Sequence, residues 1–289
     1  MEKYIVYKSD LKYKNRTNID DNKCVYDDSA SEFIDIDMCT SDYRLDESKK
    51  CNYHTLDLSN LDMIMLDRSI LTTRINNNYH LIQYLFLGDN DLENIPNLSQ
   101  LCNLKVLDIS HNNISNIDSA GLEYTKLEEL VCTNNKLTNL PTKLNHLIRV
   151  NASDNVITHI HNYSNIRSVI CFNNKITEID SYKTNKNVKY MNISNNNISA
   201  LPDNIENIEE IMVNNNNNLS IFPKYKNMRY IEIVNTDIKV IPFLGEDHDI
   251  EIICDYDAEI FLAQKYLDNK AYVNIYDDKM MQIIYKKED

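Results

Sequence analysis

Apolar residues in the middle of the chain recur in an order that predicts short strands, each followed by a turn. In the clearest copy, Leu104, Leu107 and Ile109 are separated by other residues, and Asn112 follows three positions later. A strand turns alternate side chains to one face, so these three apolar residues can share an interior. The asparagine amide can donate to and accept from backbone groups that a tight turn leaves unpaired. The pattern therefore predicts a buried strand that ends at a turn held by asparagine.

The same order, written L-x-x-L-x-L-x-x-N-x-L-x-x-L, returns along most of the chain. Its ninth position is occupied in eight copies by Asn90, Asn112, Asn135, Asn155, Asn174, Asn196, Asn216 and Thr236. The intervals between these markers are 22, 23, 20, 19, 22, 20 and 20 residues, which is too regular for chance. A degenerate copy around Leu56 and Leu58 precedes them, as a capping repeat would. No single copy can bury its own apolar side chains, so each must stack on the next.

This spacing resembles that of the leucine-rich-repeat proteins, of the short-repeat type, over residues 53–244. The resemblance implies an α/β-type solenoid, mostly β and irregular, in which eight or nine short strands form one curved parallel sheet. Repeats of 19 to 23 residues leave no room for a full helix on the outer side. All five prolines also fall shortly after the fourteenth template position, where they favour extended or turn backbone. We therefore expect short, non-helical convex segments and a cap at each end.

The two ends of the chain do not follow the template. Residues 1–52 are interpreted as an N-terminal cap or a partner-binding appendage. The cap is favoured, because an uncovered first repeat would expose its strand edge. Residues 245–289 are predicted to form a C-terminal cap. It would contain one helix over residues 257–267, with Asp257 as the N-cap, and a hairpin of residues 271–276 and 280–285.

Charge and composition restrict the class of partner. The net charge of −14 argues against nucleic acid and against an anionic membrane, and it suits a basic or neutral protein surface. The chain has no tryptophan and only 3 glycines, a composition that resembles leucine-rich-repeat proteins of AT-rich genomes such as those of amoebal giant DNA viruses. If that resemblance holds, the partner would be a host protein.

Cysteine usage and hydropathy predict a cytoplasmic location, in the host cytoplasm if the protein is viral. Cys132 and Cys171 occupy the sixth template position, where a small buried hydrophobe belongs, so they are interpreted as free thiols. The cysteine clusters typical of secreted relatives are absent, and the N-terminal apolar run is too short for a signal peptide. No stretch is long and apolar enough to span a membrane.

Candidate catalytic and metal-binding residues are few in the sequence. Cys39, Cys51 and His54 include one pair at ligand spacing, but no second tight pair accompanies it. Three glycines do not provide a phosphate-binding loop. The remaining histidines are scattered among predicted turns without a placed nucleophile: His111, His146, His159 and His161. We therefore expect no enzyme activity, no cofactor, no metal site and no small-molecule substrate.

The outward-facing strand positions are the candidate binding residues. The third, fifth and seventh template positions should project from the concave sheet, where polar side chains are the norm, yet several are apolar or aromatic. The candidate partner-binding residues are Val131, Ile170, Phe172, Tyr190, Met212 and Tyr230. Their expected polar rim is Glu129, Arg149, Glu210 and Glu232. The alternative is that single exposed apolar residues are normal and that the compositional bias supplies them.

Taken together, the sequence favours non-catalytic protein recognition through the concave face. The ladder of repeat asparagines is expected to serve structure only. Two other functions stay open: an adaptor or regulatory subunit that docks an enzyme through its caps, and a structural component that assembles with itself.

Overall fold

The computed structural model describes residues 54–66, 71, 78–181, 187–202, 205, 207–225, 227–242, 250–255, 261–262, 273–277 and 282–283. The predicted N-terminal cap or appendage, residues 1–52, lies outside the described residues. Cys39 and Cys51 lie outside them too.

Within this part of the chain, sixteen short strands form one large sheet and two small ones. In chain order they are β1 (Thr55–Asp57), β2 (Tyr84–Phe86), β3 (Val106–Asp108), β4 (Glu129–Val131), β5 (Arg149–Asn151), β6 (His159–Ile160), β7 (Ser168–Ile170), β8 (Glu178–Ile179), β9 (Tyr190–Asn192), β10 (Glu210–Met212), β11 (Tyr230–Glu232), β12 (Val240–Ile241), β13 (Ile250–Cys254), β14 (Phe261–Leu262), β15 (Val273–Asp277) and β16 (Gln282–Ile283).

The large sheet has twelve strands in the order β1-β2-β3-β4-β5-β7-β9-β10-β11-β13-β15-β16. Each neighbouring pair is parallel except β15 and β16, which are antiparallel. Nine of these strands lie between residues 53 and 244, in agreement with the repeat count. The predicted parallel solenoid of stacked repeats is therefore confirmed.

Equivalent template positions pair from one repeat to the next, so the apolar residues form continuous buried rows. Leu107 is the Cα partner of Leu130, and Leu130 is the partner of Val150. All three are almost completely buried, as are the first- and sixth-position residues Leu104 and Ile109. The core is thus a long column in which each repeat covers the apolar layer of the one before it.

Outside the large sheet, the described connections are short. They include 3-10 turns at Tyr79–Leu81, Asp118–Ala120 and Leu122–Tyr124. They also include two small parallel sheets, β6 with β8 and β12 with β14. Gly121 joins two of the 3-10 turns at φ 69°, a left-handed conformation that glycine adopts without strain. Short convex segments of this kind are what the repeat length predicted.

The C-terminal region differs from the sequence-based boundary at residue 244. Strand β13 pairs with β11 through Ile252 and Ile231, so the large sheet continues past that boundary. Ile252 and Cys254 are buried and extend the fourth- and sixth-position rows, but no asparagine stands at the ninth position that follows, and the template therefore missed this strand. Phe261 and Leu262 form β14, so the predicted helix over residues 257–267 does not run through these two residues. Strands β15 and β16 pair antiparallel where the hairpin was predicted.

The ninth-position asparagines link each repeat to the one before it. The side chain of Asn155 donates to the carbonyls of Cys132, Ala152 and Ser153 at 2.9, 3.2 and 3.1 Å. Its Oδ1 accepts the N–H of Leu137 at 2.9 Å. Side-chain bonds to the backbone of the preceding repeat are also made by Asn90, Asn112, Asn135, Asn174, Asn196 and Asn216. All seven bridge consecutive turns of the solenoid.

The residue before each of these seven asparagines, and the residue before Thr236 in the eighth copy, adopt a left-handed backbone conformation. The φ angles lie between 51° and 56° at Asp89, His111, Asn134, Asp154, Asn173, Asn195, Asn215 and Asn235. Asparagine, aspartate and histidine tolerate this region better than other non-glycine residues do. Some of these side chains also bond to one another, as where Asn235 donates to Asn215 at 2.6 Å. This second ladder was not predicted from the sequence.

Candidate functional site: the concave face

Two rows of side chains cover the concave face of the large sheet. In the large sheet, the fourth template position is buried in every strand from β1 to β11. The residues on either side of it therefore face away from the core. The third-position row from β2 to β13 is Tyr84, Val106, Glu129, Arg149, Ser168, Tyr190, Glu210, Tyr230 and Glu251. The fifth-position row is Phe86, Asp108, Val131, Asn151, Ile170, Asn192, Met212, Glu232 and Ile253.

Two of the six predicted binding residues offer little accessible surface. Val131 in β4 is only 9% exposed, and Ile170 in β7 is only 5% exposed. The expectation that both would be accessible is therefore corrected. Strands lie about 4.8 Å apart, so short β-branched side chains are shielded by neighbours in the adjacent strands. Val131 and Ile170 therefore lie beneath the concave surface and contribute little of its accessible area.

The other four predicted residues are partly accessible, and three of them lie on consecutive strands. Tyr190, Met212 and Tyr230 are half-buried on β9, β10 and β11. The Tyr190 hydroxyl donates to Met212 Sδ at 3.6 Å. Phe172 is also half-buried and follows β7, the strand that pairs with β9. The structure thus brings these residues together on neighbouring strands of the concave face, in the C-terminal half of the large sheet.

Carboxylates surround Tyr230. Glu210 and Glu251 are its Cα partners on the two neighbouring strands, and Glu232 lies two residues further along β11. The Tyr230 hydroxyl donates to Glu232 Oε1, and Asn214 Nδ2 donates to the other oxygen of that carboxylate at 2.6 Å. We call Tyr190, Met212, Tyr230, Glu210, Glu232 and Glu251 the aromatic–acidic patch.

Burial raises the pKa of the Tyr230 hydroxyl far above its ordinary value. The hydrogen bond to Glu232 and the charge of that carboxylate raise it further, and so do the charges of Glu251 and Glu210. Tyr230 therefore stays a neutral hydrogen-bond donor at physiological pH. Glu251 was missed by the sequence analysis because it lies on β13, beyond the last recognised copy.

The middle of the concave face is more nearly neutral. Arg149 Nε and Nη2 donate to Glu129 Oε2 at 3.1 and 2.6 Å, so these two rim charges compensate each other. Ser168 is the next residue in the row, and its hydroxyl is buried without a hydrogen-bond partner among the described residues. The predicted rim thus divides into an ion pair, Glu129 with Arg149, and an acidic group that includes Glu210 and Glu232.

Polar side chains towards the N-terminal end satisfy one another locally. Asp108 is 2% exposed, and its Oδ1 accepts from the Ser110 N–H at 2.8 Å and from the Ser110 hydroxyl at 2.6 Å. Asn151 Oδ1 accepts from the Ser153 hydroxyl at 2.9 Å in the same way. Buried polar groups need such partners. Asp108 and Asn151 therefore use their hydrogen-bonding groups within the sheet. The aromatic–acidic patch is the better candidate for binding a partner.

The two cysteines beneath this face are not activated. Burial raises the pKa of Cys171 to about 12, against a smaller opposing effect of a hydrogen bond from the Ala152 backbone. Burial also raises the pKa of Cys132, and the nearby Cys171 and Asp108 raise it further. A protonated thiol is a poor nucleophile. Both residues behave as the small buried hydrophobes that their template position predicted.

Comparison with known proteins identifies the fold. A family model described as leucine-rich repeats in two copies matches residues 81–124. The leucine-rich-repeat domain of APL1B is similar in structure, with a TM-score of 0.58 at 14% identity over 82% of this chain and 79% of that domain. The chain has the leucine-rich-repeat fold. In a comparison with curated protein sequences, nothing matches.

Two further leucine-rich-repeat structures resemble it over part of their length. A leucine-rich-repeat protein from Bacteroides eggerthii has a TM-score of 0.53 at 17% identity, over 69% of this chain and 40% of that one. The effector YopM from Yersinia pestis has a TM-score of 0.50 at 21% identity, over 63% of this chain and 54% of that one. This chain thus spans about half the length of these two proteins or less, and the likeness concerns the fold alone.

Leucine-rich-repeat folds are in general scaffolds for protein–protein interaction and are typically not enzymes. Among the described residues, no helix has both the length and the apolar character needed to cross a lipid bilayer.

Proposed function

We propose that this leucine-rich-repeat protein is a non-catalytic recognition module that binds a protein partner at the aromatic–acidic patch of its concave face. The observation that carries the proposal is the position of Tyr190, Met212 and Tyr230 on three consecutive strands, all half-buried and all facing away from the core. Aromatic and methionine side chains are enriched at the centres of protein interfaces.

The geometry favours one continuous surface over three isolated residues. Neighbouring strands are about 4.8 Å apart, so side chains on β9, β10 and β11 form a single patch. The hydrogen bonds from Tyr190 to Met212 and from Tyr230 to Glu232 hold these side chains in place before a partner arrives. An ordered patch loses less side-chain entropy on binding than a flexible one does.

The charges indicate the chemistry of the partner. Glu210, Glu232 and Glu251 surround Tyr230, and the whole chain carries a net charge of −14. A protein surface with an apolar centre and lysine or arginine residues around it complements this arrangement. Nucleic acid and anionic membranes carry the wrong sign of charge for it.

We also propose a cytoplasmic location, which would be the host cytoplasm if the AT-rich composition reflects a viral origin. Support comes from the cysteines, since Cys132 and Cys171 are buried free thiols. Unpaired buried thiols are typical of reducing compartments.

The test is affinity capture from cell lysate with the full chain and with the triple variant Phe172→Asp, Tyr190→Asp, Met212→Asp. The matched control replaces three exposed apolar residues outside the patch: Tyr124→Asp, Ile221→Asp, Val240→Asp. Circular dichroism first establishes that all three chains fold. The captured protein is then purified, and its affinity for each chain is measured by calorimetry.

We expect the concave variant to lose at least about tenfold in affinity and the control variant to bind like the natural chain, because only the first removes interface residues. A photo-crosslinking residue at position 212 should also link to the partner, whereas one at position 240 should not. Equal binding by all three chains would contradict the concave patch and direct attention to the two ends of the solenoid.

A further inference from the structure

Two histidines and an aspartate from neighbouring repeats meet on the small β6–β8 sheet, outside the large sheet. His159 and His161 lie on either side of buried Ile160, and extended backbone directs alternate side chains to the same face. Ile160 pairs with Ile179. His161 and Asp180 are the next residues after these two, and they therefore lie side by side. From the sequence these histidines were interpreted as scattered among turns, and the structure corrects that interpretation.

The three side chains converge within the distances that a metal ion requires. His159 Nε2 lies 2.8 Å from Asp180 Oδ1, and His161 Nδ1 lies 3.6 Å from Asp180 Oδ2. The two imidazole rings are 4.6 Å apart between centroids and are inclined by 33°. One ligand atom from each residue can be chosen so that all three lie within 4.8 Å of one another.

The backbone holds this arrangement in place. The Asp180 N–H donates to the Ile160 carbonyl at 2.9 Å, and the Asn162 N–H donates to Asp180 Oδ2 at 3.1 Å. Asn162 Nδ2 donates to the Ser181 carbonyl at 2.9 Å. Asn162 Oδ1 is buried, yet it accepts no hydrogen bond from any residue in the described part of the chain. A buried oxygen without a donor is unusual, and a cation or an ordered water would satisfy it.

We propose that His159, His161 and Asp180 bind a divalent transition-metal ion, with Zn²⁺ as the best match. Zn²⁺ takes histidine nitrogen and carboxylate oxygen at about 2.0–2.2 Å in a tetrahedron, whose ligand atoms are therefore about 3.4 Å apart. Each imidazole nitrogen lies near a different oxygen of Asp180, at 2.8 and 3.6 Å. One ligand atom from each residue lies within 4.8 Å of the other two, so an adjustment of the side chains brings the three atoms to that spacing. Two imidazoles and one carboxylate leave a fourth position for water or an outside ligand.

Binding requires one exchange of ligands at His159. Neutral His159 with its proton on Nδ1 leaves Nε2 free to bind the ion, which then replaces the hydrogen bond between Nε2 and Asp180 Oδ1. A simple ion pair explains the arrangement less completely, since a single protonated imidazole would neutralise Asp180.

The site would bridge two repeats at a distance from the concave face. His159 and His161 follow β5, whereas Asp180 follows β7, so a shared ion would join consecutive turns of the solenoid. Its stabilisation of the fold follows mass action, because the unfolded chain does not hold the three ligands together. The proposal is independent of protein binding at the aromatic–acidic patch.

The test uses the full chain after dialysis against a chelator, titrated with Zn²⁺ by calorimetry. The variants are Asp180→Asn and the double change His159→Gln, His161→Gln, which preserve approximate shape while they remove ligand capacity. The matched control is His146→Gln, an exposed histidine away from the site. We expect at least a tenfold loss of Zn²⁺ affinity in both site variants, an unchanged affinity in the control, and a Zn²⁺-dependent rise in melting temperature that the site variants lack.

Cobalt substitution gives a readout that separates this site from the cysteines of the chain. Co²⁺ bound by His159, His161 and Asp180 should show visible bands without a thiolate charge-transfer band. The same Zn²⁺ affinity in all four chains would overturn the proposal, and so would a Co²⁺ spectrum of the natural chain dominated by thiolate. The spectrum needs no variant, so it decides the question even where a variant fails to fold.

Discussion

At the level of single residues, the ninth-position asparagines satisfy backbone groups that the turns leave unpaired. Asn155 is 8% exposed and makes four hydrogen bonds to backbone atoms, two of them to the preceding repeat. An apolar replacement would leave the Leu137 N–H without its acceptor. It would also remove one of two donors from each of three carbonyls, since Cys132, Ala152 and Ser153 keep a bond from another residue. An unpaired buried N–H is costly because its bond to water is not replaced.

We therefore expect Asn155→Ala to lower the free energy of unfolding by about 1–3 kcal/mol. Urea denaturation followed by circular dichroism provides the measurement. Asn139→Ala is the matched control, since Asn139 is exposed and its described side-chain bond is a 3.4 Å contact with Thr138. The control should change stability by less than about 0.5 kcal/mol. A similar small effect at Asn155 would show that the ladder is dispensable.

Burial also determines the reactivity of the cysteines. Cys102 is exposed, whereas Cys132 and Cys171 are completely buried, and burial raises the pKa of Cys171 to about 12. In the folded chain at pH 8, iodoacetamide should modify Cys102 and leave the two buried thiols intact, because the thiolate is the reactive form. Mass spectrometry of the digested protein locates the labels, and all three sites should react in urea. Labelling of Cys171 in the folded chain would contradict its placement.

The raised thiol pKa values also predict how stability depends on alkaline pH. The unfolded thiol ionises above its ordinary pKa of 9.0, whereas folded Cys171 ionises only near 12. The contribution of Cys171 to stability is therefore complete below pH 9 and falls by about 1.4 kcal/mol per pH unit up to about pH 12. Cys171→Ala should show a shallower loss over this range in urea denaturation. An identical slope in both chains would mean that Cys171 ionises equally in the two states.

At the level of elements, the turn after each strand requires a left-handed residue at the eighth template position. His111 has a φ of 51°, and its only described side-chain bond is a 3.4 Å contact with Asn134. A β-branched residue in this conformation costs about 1–2 kcal/mol, and glycine costs nothing sterically. His111→Val should therefore lower the urea midpoint, whereas His111→Gly should leave it nearly unchanged. Equal midpoints would show that the turn can relax.

The strands of the repeats were predictable because burial alone specifies them. Residues such as Leu107 and Leu130 recur at fixed spacing, and each copy needs the next one to cover it. Strand β13 was missed because no asparagine stands at the ninth position after Ile252 and Cys254. The accessibility of Val131 and Ile170 could not be read from the pattern, because it depends on the size of side chains in neighbouring repeats. The left-handed turns did have a signal in the sequence, because the eighth template position is always Asn, Asp or His. This signal was not used for prediction.

At the level of the whole molecule, both candidate sites arise from the stacking of repeats. His161 and Asp180 are 19 residues apart, the same interval that separates Asn155 from Asn174. They therefore occupy equivalent positions of consecutive repeats, one beyond the fourteen-residue template. Glu251 reaches Tyr230 in the same way, from the strand after the last recognised copy. A repeat template longer than fourteen positions would have placed His161 and Asp180 at the same position of consecutive repeats.

The continuation of the large sheet past residue 244 predicts that the last strands stabilise the repeats before them. A chain that ends at residue 244 would lose β13, expose the backbone edge of β11 and uncover the end of the apolar column at Ile231. Exposing even one core aliphatic side chain costs about 1.5–3 kcal/mol. The truncated chain should therefore unfold at a lower urea concentration and associate more readily in light scattering than the full chain does.

A point variant separates this packing effect from the loss of chain length. Ile252→Asn in the full chain places a polar group in the buried row of β13, whereas Glu251→Gln changes a half-buried residue on the opposite face. The first should reproduce most of the loss in urea midpoint and the second should have little effect on it, because only the first disturbs the layer that covers Ile231. If both variants and the truncated chain were as stable as the full chain, β13 would be an attachment to the solenoid and the repeats would end at β11.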